Sequence, residues 1–300
     1  MKRLLLISSA VILWPLAASW AQLEPPNEAG VAMGHWHTIV RDVDATKKFW
    51  TTLGGKPVKI DGTDAMKFPG VFIFLTKGTP SAGSYGSVVN HVKFLVPNLD
   101  EAIGSWKAAG ATAESVISEY GHNPIGWAYT PDNLKVRFNP DKTLNMPIGK
   151  PGVQLWVTES AVPKMQEWYS KMFGGKVGPE ANNGGGVIGI PGFQLTVTSS
   201  GEQPPARTPR GVGLLNGAMP DAATMEKLSK TNLSAPSKGR TLDHIGFEIT
   251  NLEAFCKTLE ASGVKFDEPY SKTRHKDFAS AKLTDPWGVS IELTEGLRKF

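Results

Sequence analysis

The chain has 300 residues, with 32 basic and 28 acidic side chains and a formal charge of +4. That balance, with the basic residues scattered and no aromatic-and-basic motif, excludes a nucleic-acid partner. The only cysteine, Cys256, excludes an intrachain disulfide, and the length suffices for two domains with cores of their own.

The first residues read as an export leader. Lys2 and Arg3 precede an apolar run, Leu4 to Leu16, which is interrupted by Pro15. Ala17-Ala18-Ser19-Trp20-Ala21 then offers small residues for cleavage after Ala21, so residues 1–21 are assigned as a signal peptide. A retained anchor is the competing reading, but a spanning helix needs about 20 apolar residues and this run is shorter. The expected location is periplasmic or secreted, with no membrane association after cleavage.

Four similar units follow. The first runs from a strand at Gly34 to Asp42, through a helix carrying Phe49-Trp50, to Leu53-Gly54-Gly55 and a Pro69-Gly70 turn into Val71 to Leu75. The second opens on Asn90-His91-Val92-Lys93-Phe94, has a helix over Asp100 to Ala109 stopped by Gly110, and closes on Pro131 and the strand Leu134 to Phe138. A Pro/Gly/Lys stretch from Pro147 to Gly152 marks a boundary. The third unit has Val153 to Val157, then Trp168-Tyr169, Phe173-Gly174-Gly175, and Pro191-Gly192 into Phe193 to Val197. An insertion over 199–240 is rich in Pro, Gly, Ser and Lys, with a short helix expected over 220–230; loops of this length are lids or disordered segments. The fourth unit opens on Asp243-His244-Ile245-Gly246-Phe247 and ends on Asp285-Pro286-Trp287-Gly288 and the strand Val289 to Leu293.

The repeat is quantitative. His91 to Asn98 and His244 to Asn251 are both seven residues, and Asn98 to Gly110 and Asn251 to Gly263 are both twelve. Cys256 falls in an apolar-periodic segment and reads as a packing residue.

The order of these motifs, above all Asp285-Pro286-Trp287-Gly288 leading to Glu292-Leu293, resembles the vicinal-oxygen-chelate superfamily of glyoxalases, bleomycin resistance proteins and extradiol dioxygenases. The resemblance covers nearly the whole mature chain except the insertion. It implies an α+β fold of four βαβββ units paired into two cup-shaped mixed-sheet domains. Taken in chain order these are 30–147 and 152–297. In that superfamily, first and last strands of each unit present ligands to a divalent metal, which holds two adjacent oxygens of a substrate.

Strand alternation says which residues face a cup. Ile245, Phe247 and Ile249 should pack on a helix, leaving His244, Gly246, Glu248 and Thr250 on the other face; Glu292 likewise opposes Ile291 and Leu293. With Gln154 and Gln194 the resemblance implies a second-domain metal set of Gln154, Gln194, His244 and Glu292, with Glu292 also catalytic and Glu248 able to move protons. Mixed nitrogen and oxygen donors suit Zn, Mn, Fe, Co or Ni. Two neutral amides weaken such a site, and hydrogen bonding in a metal-free polar cup is the alternative.

In the first domain the matching positions hold His35, Phe74, His91 and Arg137. His35 and His91 fit two histidines of a dioxygenase triad, but Arg137 stands where a carboxylate is required. Lys93, Lys135 and His37 share that face, so the cup is expected to lack a metal and either to take an anionic group or to support the other domain. A three-histidine site from His35, His37 and His91 is a further option. His35, His91, Arg137, Trp156 and Glu248 are the candidate substrate-binding residues. His122 and Arg274-His275-Lys276 fit either a site rim or solvated turns, and Gly184-Gly185-Gly186 lacks the Lys-Ser/Thr of a phosphate loop.

Two functions follow. One is an exported metal-dependent lyase, isomerase or ring-cleaving dioxygenase acting on a small molecule with vicinal oxygens. The other is a metal-free small-molecule binding or sequestering protein of the bleomycin-resistance type. A role as an assembly interface is a third reading, and a homo-oligomer is compatible with any of them. Glutathione-dependent chemistry is disfavoured for an exported protein.

Overall fold

A computed structural model describes residues 23–117, 124–179, 185–199, 234–272 and 278–300. The leader, His122, Arg274-His275-Lys276 and most of the 199–240 insertion, with its expected helix, lie outside the described residues.

Each unit is built as its sequence pattern dictates. The first comprises β1 (Val31–Val40), α1 (Val43–Thr52), β2 (Lys56–Ile60), β3 (Thr63–Phe68) and β4 (Val71–Lys77). The second has β5 (Val89–Val96), α2 (Leu99–Ala108), β6 (Ala113–Ile117), β7 (Pro124–Tyr129) and β8 (Lys135–Pro140). The third has β9 (Gly149–Val157), α3 (Val162–Phe173), β10 (Lys176–Val177), β11 (Gly186–Ile190) and β12 (Phe193–Ser199). The fourth has β13 (Leu242–Ile249), α4 (Leu252–Ala261), β14 (Phe266–Lys272), β15 (Ala279–Thr284) and β16 (Ser290–Glu295). Three helices start on the same device: Asp42, Asn98 and Asn251 each accept a hydrogen bond from a backbone N–H three residues on, at 2.9, 3.2 and 3.3 Å.

The units form two eight-stranded mixed sheets, but not in chain order. One sheet runs β14-β15-β16-β13-β1-β4-β3-β2 and the other β10-β11-β12-β9-β5-β8-β7-β6. The first unit is therefore joined to the fourth across antiparallel β1 and β13, and the second to the third across β5 and β9. The expected domains 30–147 and 152–297 thus do not correspond to the sheets. The steric reason lies at the junctions. His35 of β1 lies opposite Gly246 of β13, and Lys93 of β5 opposite Gly152 of β9. Each bulky side chain lies over its glycine: a Cβ on Gly246 would come within 2.0 Å of His35 Cε1, and one on Gly152 within 2.5 Å of Lys93 Cε. By the repeat, joining first to second would set His35 against Lys93, and third to fourth would set Gly152 against Gly246. One junction would be crowded and the other left with a gap.

The apolar faces of both sheets share one core with the helices. Trp36 and Phe68 of the first sheet meet Phe94 of the second at ring-centroid distances of 5.2 and 5.0 Å, and Phe173 of α3 meets Phe247 at 4.9 Å. Burying such rings contributes roughly 2–3 kcal/mol each. The polar faces are left as two separate cups. Cys256 is a buried core residue, its thiol pushed up to about 11 by burial, as expected of a packing role.

Candidate metal centre

The cup of the first sheet gathers His35 and His37 from β1, His244 from β13 and Glu292 from β16. Spacing of two along β1 puts both of its histidines on one face, and the register sets His37 opposite His244 and Gly246 beside Glu292. One ligand atom from each of the four residues lies within 4.8 Å of those of the other three. His35 Nε2 and His244 Nε2 both converge on the same carboxylate oxygen, Glu292 Oε2, at 2.9 and 3.0 Å. The site is nearly closed to water: His35 is fully buried, and the Glu292 side chain is 15% exposed.

A bulge supplies a fifth residue. Opposite His37 and Thr38 the pairing jumps from His244 to Leu242, so Asp243 is the extra residue on its strand. Freed from strict alternation, its carboxylate turns to His244 and accepts from Nδ1 at 2.6 Å. Sequence reasoning missed Asp243, because an unbroken strand points neighbouring residues to opposite faces. The second sheet repeats the device with Asn90, which is skipped in the β5–β9 pairing and whose Oδ1 accepts from His91 Nδ1 at 2.9 Å.

The electrostatics follow from burial and these contacts. Burial works against a charged His244, but its bonds to Asp243 and Glu292 outweigh it and raise the imidazole above its ordinary value. Burial would raise Glu292, yet hydrogen bonds from His244 and His35 hold it well below the usual carboxylate range. Burial keeps His35 below its ordinary value despite Glu292, and its Nδ1 is buried without a partner. Burial, followed by the neighbouring His244, takes His37 down to about 3, leaving it a neutral ring bonded to Thr76 Oγ1 at 2.7 Å. Lys282 stands 3.9 Å from Glu292 Oε1.

This donor set fits a divalent cation. Two imidazole nitrogens and one carboxylate oxygen form the facial set that leaves several positions open. The Asp243 carboxylate on His244 Nδ1 is the outer-shell partner that keeps the other nitrogen's lone pair free for a metal. Phe74 stands beside His35 at 5.0 Å and adds no donor. With Phe72, Ala65, Ile60 and Leu297 it forms a separate apolar cluster.

The other sequence candidates are distributed differently. Gln154, Gln194, His91, Arg137 and Trp156 belong to strands of the second sheet, so Gln154 and Gln194 do not join His244 and Glu292. His91, likewise, does not join His35. Gln154 instead donates to Thr198, and Gln194 Oε1 accepts from Lys93 Nζ at 2.8 Å. Glu248 shares the His244 face but is turned to structure: it accepts from Thr294 Oγ1 at 3.0 Å and from the Gly296 and Arg298 N–H groups at 2.9 and 3.4 Å. Asp285 of the Asp-Pro-Trp-Gly motif is also structural. It accepts from Trp287 N at 2.9 Å, Val289 N at 2.8 Å and the Tyr169 hydroxyl at 2.9 Å, tying α3 to the fourth unit.

Comparison with known proteins places this geometry in context. The model of the glyoxalase/bleomycin resistance protein/dioxygenase superfamily matches residues 154–293, a span that includes His244 and Glu292 but not His35. No curated protein sequence matches the chain. Among solved structures, glyoxalase I from Zea mays superimposes with a TM-score of 0.64 at 16% identity, covering 90% of this chain and 94% of that one. A putative dioxygenase from Bacillus subtilis gives 0.58 at 13% identity over 92% and 86%. Among the described residues no helix is long and apolar enough to cross a membrane.

Proposed function

This chain is a glyoxalase/bleomycin resistance protein/dioxygenase superfamily protein, by sequence over residues 154–293 and by fold over its described length, and on that premise we propose that it is a divalent-metal-dependent enzyme acting on a small substrate with vicinal oxygens. His35, His244 and Glu292 hold the ion. The observation that carries this reading is the convergence of two imidazole nitrogens on one buried carboxylate oxygen at 2.9 and 3.0 Å. A two-histidine, one-carboxylate set favours iron(II) and oxygen-dependent cleavage of the carbon–carbon bond beside the two oxygen-bearing carbons. A bound ion would supply Lewis acidity, a template for the two oxygens and, as iron, electrons for oxygen.

The chain's own residues do the rest. Asp243 fixes the tautomer and orientation of His244. His37, neutral and tilted against His244 at 4.5 Å between ring centroids, offers a hydrogen bond to a substrate hydroxyl without repelling the cation. Phe74, whose ring contacts both His35 and His37, presents an apolar surface beside them. On the leader at residues 1–21, we read the protein as exported, which N-terminal sequencing of the protein recovered outside the cytoplasm would test.

The test is anaerobic loading with iron(II), followed by oxygen uptake with a panel of vicinal diols. Uptake with the iron form, absent from His35→Ala, is the expected result; full uptake by His35→Ala would end the assignment. One observation favours the metal-free binding reading instead: Asp243, His244, Glu292 and His35 are already linked to one another as a hydrogen-bonded chain. In that case protein purified without chelators would carry no more metal than its Glu292→Ala variant.

A further inference from the structure

The cup of the second sheet has its own chemistry. Its central strands bring together three cations: Lys93 from β5, and Lys135 and Arg137 from β8. Lys93 and Arg137 are register partners on adjacent strands, and Lys135 is two residues from Arg137 on the same face. Neighbouring strands lie only about 4.8 Å apart. Trp127 of β7 ties the group together, with Lys135 Nζ 3.8 Å from its ring centroid, Arg137 Cζ at 5.8 Å and the His91 ring at 5.1 Å. Lys93 Nζ is held by Gln194 and Thr196 of β12.

Among the described residues no carboxylate pairs with this cluster. None of the three cations forms an ion pair within the described residues; Glu114 of β6 acts on Lys135 only at longer range. The other groups facing it are His91, Tyr129, Gln154 and Thr198. Three polar atoms among these groups are buried without partners among the described residues: Arg137 Nε, His91 Nε2 and one oxygen of Glu114, Oε1. Because His91 Nδ1 donates to Asn90 Oδ1, Nε2 is a bare acceptor. Buried like charges are costly unless a counter-charge joins them.

We propose that this second cup is a binding site for a small hydroxyl-bearing oxyanion of the phosphate class, separate from the metal centre. The charged oxygens meet Lys93, Lys135 and Arg137, and the ligand's O–H donates to His91 Nε2. By register Arg137 takes in this cup the place that Glu292 takes in the first, so the two cups divide cation and anion binding between them. Free of ligand, burial and the Arg137 charge bring Lys93 down to about 7 and Lys135 to about 8, so the cluster sheds charge when no anion compensates it.

The experiment is thermal denaturation and calorimetric titration of the full chain with inorganic phosphate, glycerol phosphate and sulfate at constant ionic strength. Phosphate should raise the melting temperature by on the order of 5 °C at saturation. Sulfate, lacking a proton to give His91, should bind at least tenfold more weakly. Arg137→Met and Lys93→Met should lose the phosphate response while melting no lower than wild type without ligand, since each removes a buried repelling charge. Glu292→Gln should keep the response. Phosphate affinity should fall between pH 6.5 and 9 as the two lysines deprotonate. A response to glycerol phosphate equal to that for phosphate would identify an ester as an acceptable source. An equal phosphate shift in wild type and both methionine variants, or none in wild type, would overturn the proposal.

Discussion

Gly246→Ala is the most exacting perturbation of the first cup. The glycine lies in β13 with no positive φ, so alanine costs nothing in backbone conformation. All of the effect therefore comes from the new methyl, which would sit 2.0, 2.2 and 2.5 Å from His35 Cε1, Nδ1 and Nε2. Contacts of that kind require at least about 3.0 Å, so the imidazole must move by about 1 Å or more. Overpacking of this sort costs about 1–3 kcal/mol. A 1 Å displacement is also half of a metal–nitrogen bond of about 2.0–2.1 Å, enough to remove His35 as a ligand. Urea melts of wild type, Gly246→Ala, His35→Ala and the double variant separate these effects. The methyl should be harmful with the ring present and nearly neutral without it, a coupling of about 1–3 kcal/mol. If Gly246→Ala is equally destabilising in both backgrounds, the His35 ring does not occupy the space above this glycine and the junction argument fails.

Other expectations follow from single contacts. Asp243→Asn removes the charge from the acceptor that orients His244, and metal affinity by competition titration should fall about 10–100-fold with the fold intact. Tyr169→Phe takes the hydroxyl from the buried Asp285, and chemical denaturation should show a loss of about 1–2 kcal/mol. Asp285 is itself raised by burial to about 6 against an ordinary 3.8, so its effect on stability falls between those values and leaves higher pH to the lysines. Lys93 and Lys135 bind protons less tightly folded than unfolded, so ligand-free stability should rise from pH 7 towards 9. The rise should shrink in Lys93→Met.

Much of this was legible in the residues. Alternation along Leu242–Ile249 and Ser290–Glu295 put His244 and Glu292 on the face away from the helices, and the repeated seven- and twelve-residue spacings gave the four units. What alternation cannot give is the partner of each unit. Every unit offers the same free edge on its first strand, so chain order set His244 beside Gln154 when the fold sets it beside His37. The signal that separates these outcomes is steric and was present: His35 and Lys93 belong to two units, and Gly152 and Gly246 to the other two. Asp243 was hidden for a different reason, since a bulge suspends alternation at that residue. The Arg137 that looked like a lost ligand is part of a second, cationic cup.

The account stands on first-unit and fourth-unit side chains sharing one ion. The direct measurement is iron(II) or manganese(II) stoichiometry by equilibrium dialysis and elemental analysis across single alanine variants. One ion per chain should bind to wild type, be lost from the His35, His244 and Glu292 variants, and persist in those at His91, Gln154 and Gln194. Loss of the ion on replacing Gln154 or Gln194, with His35→Ala still fully loaded, would contradict it.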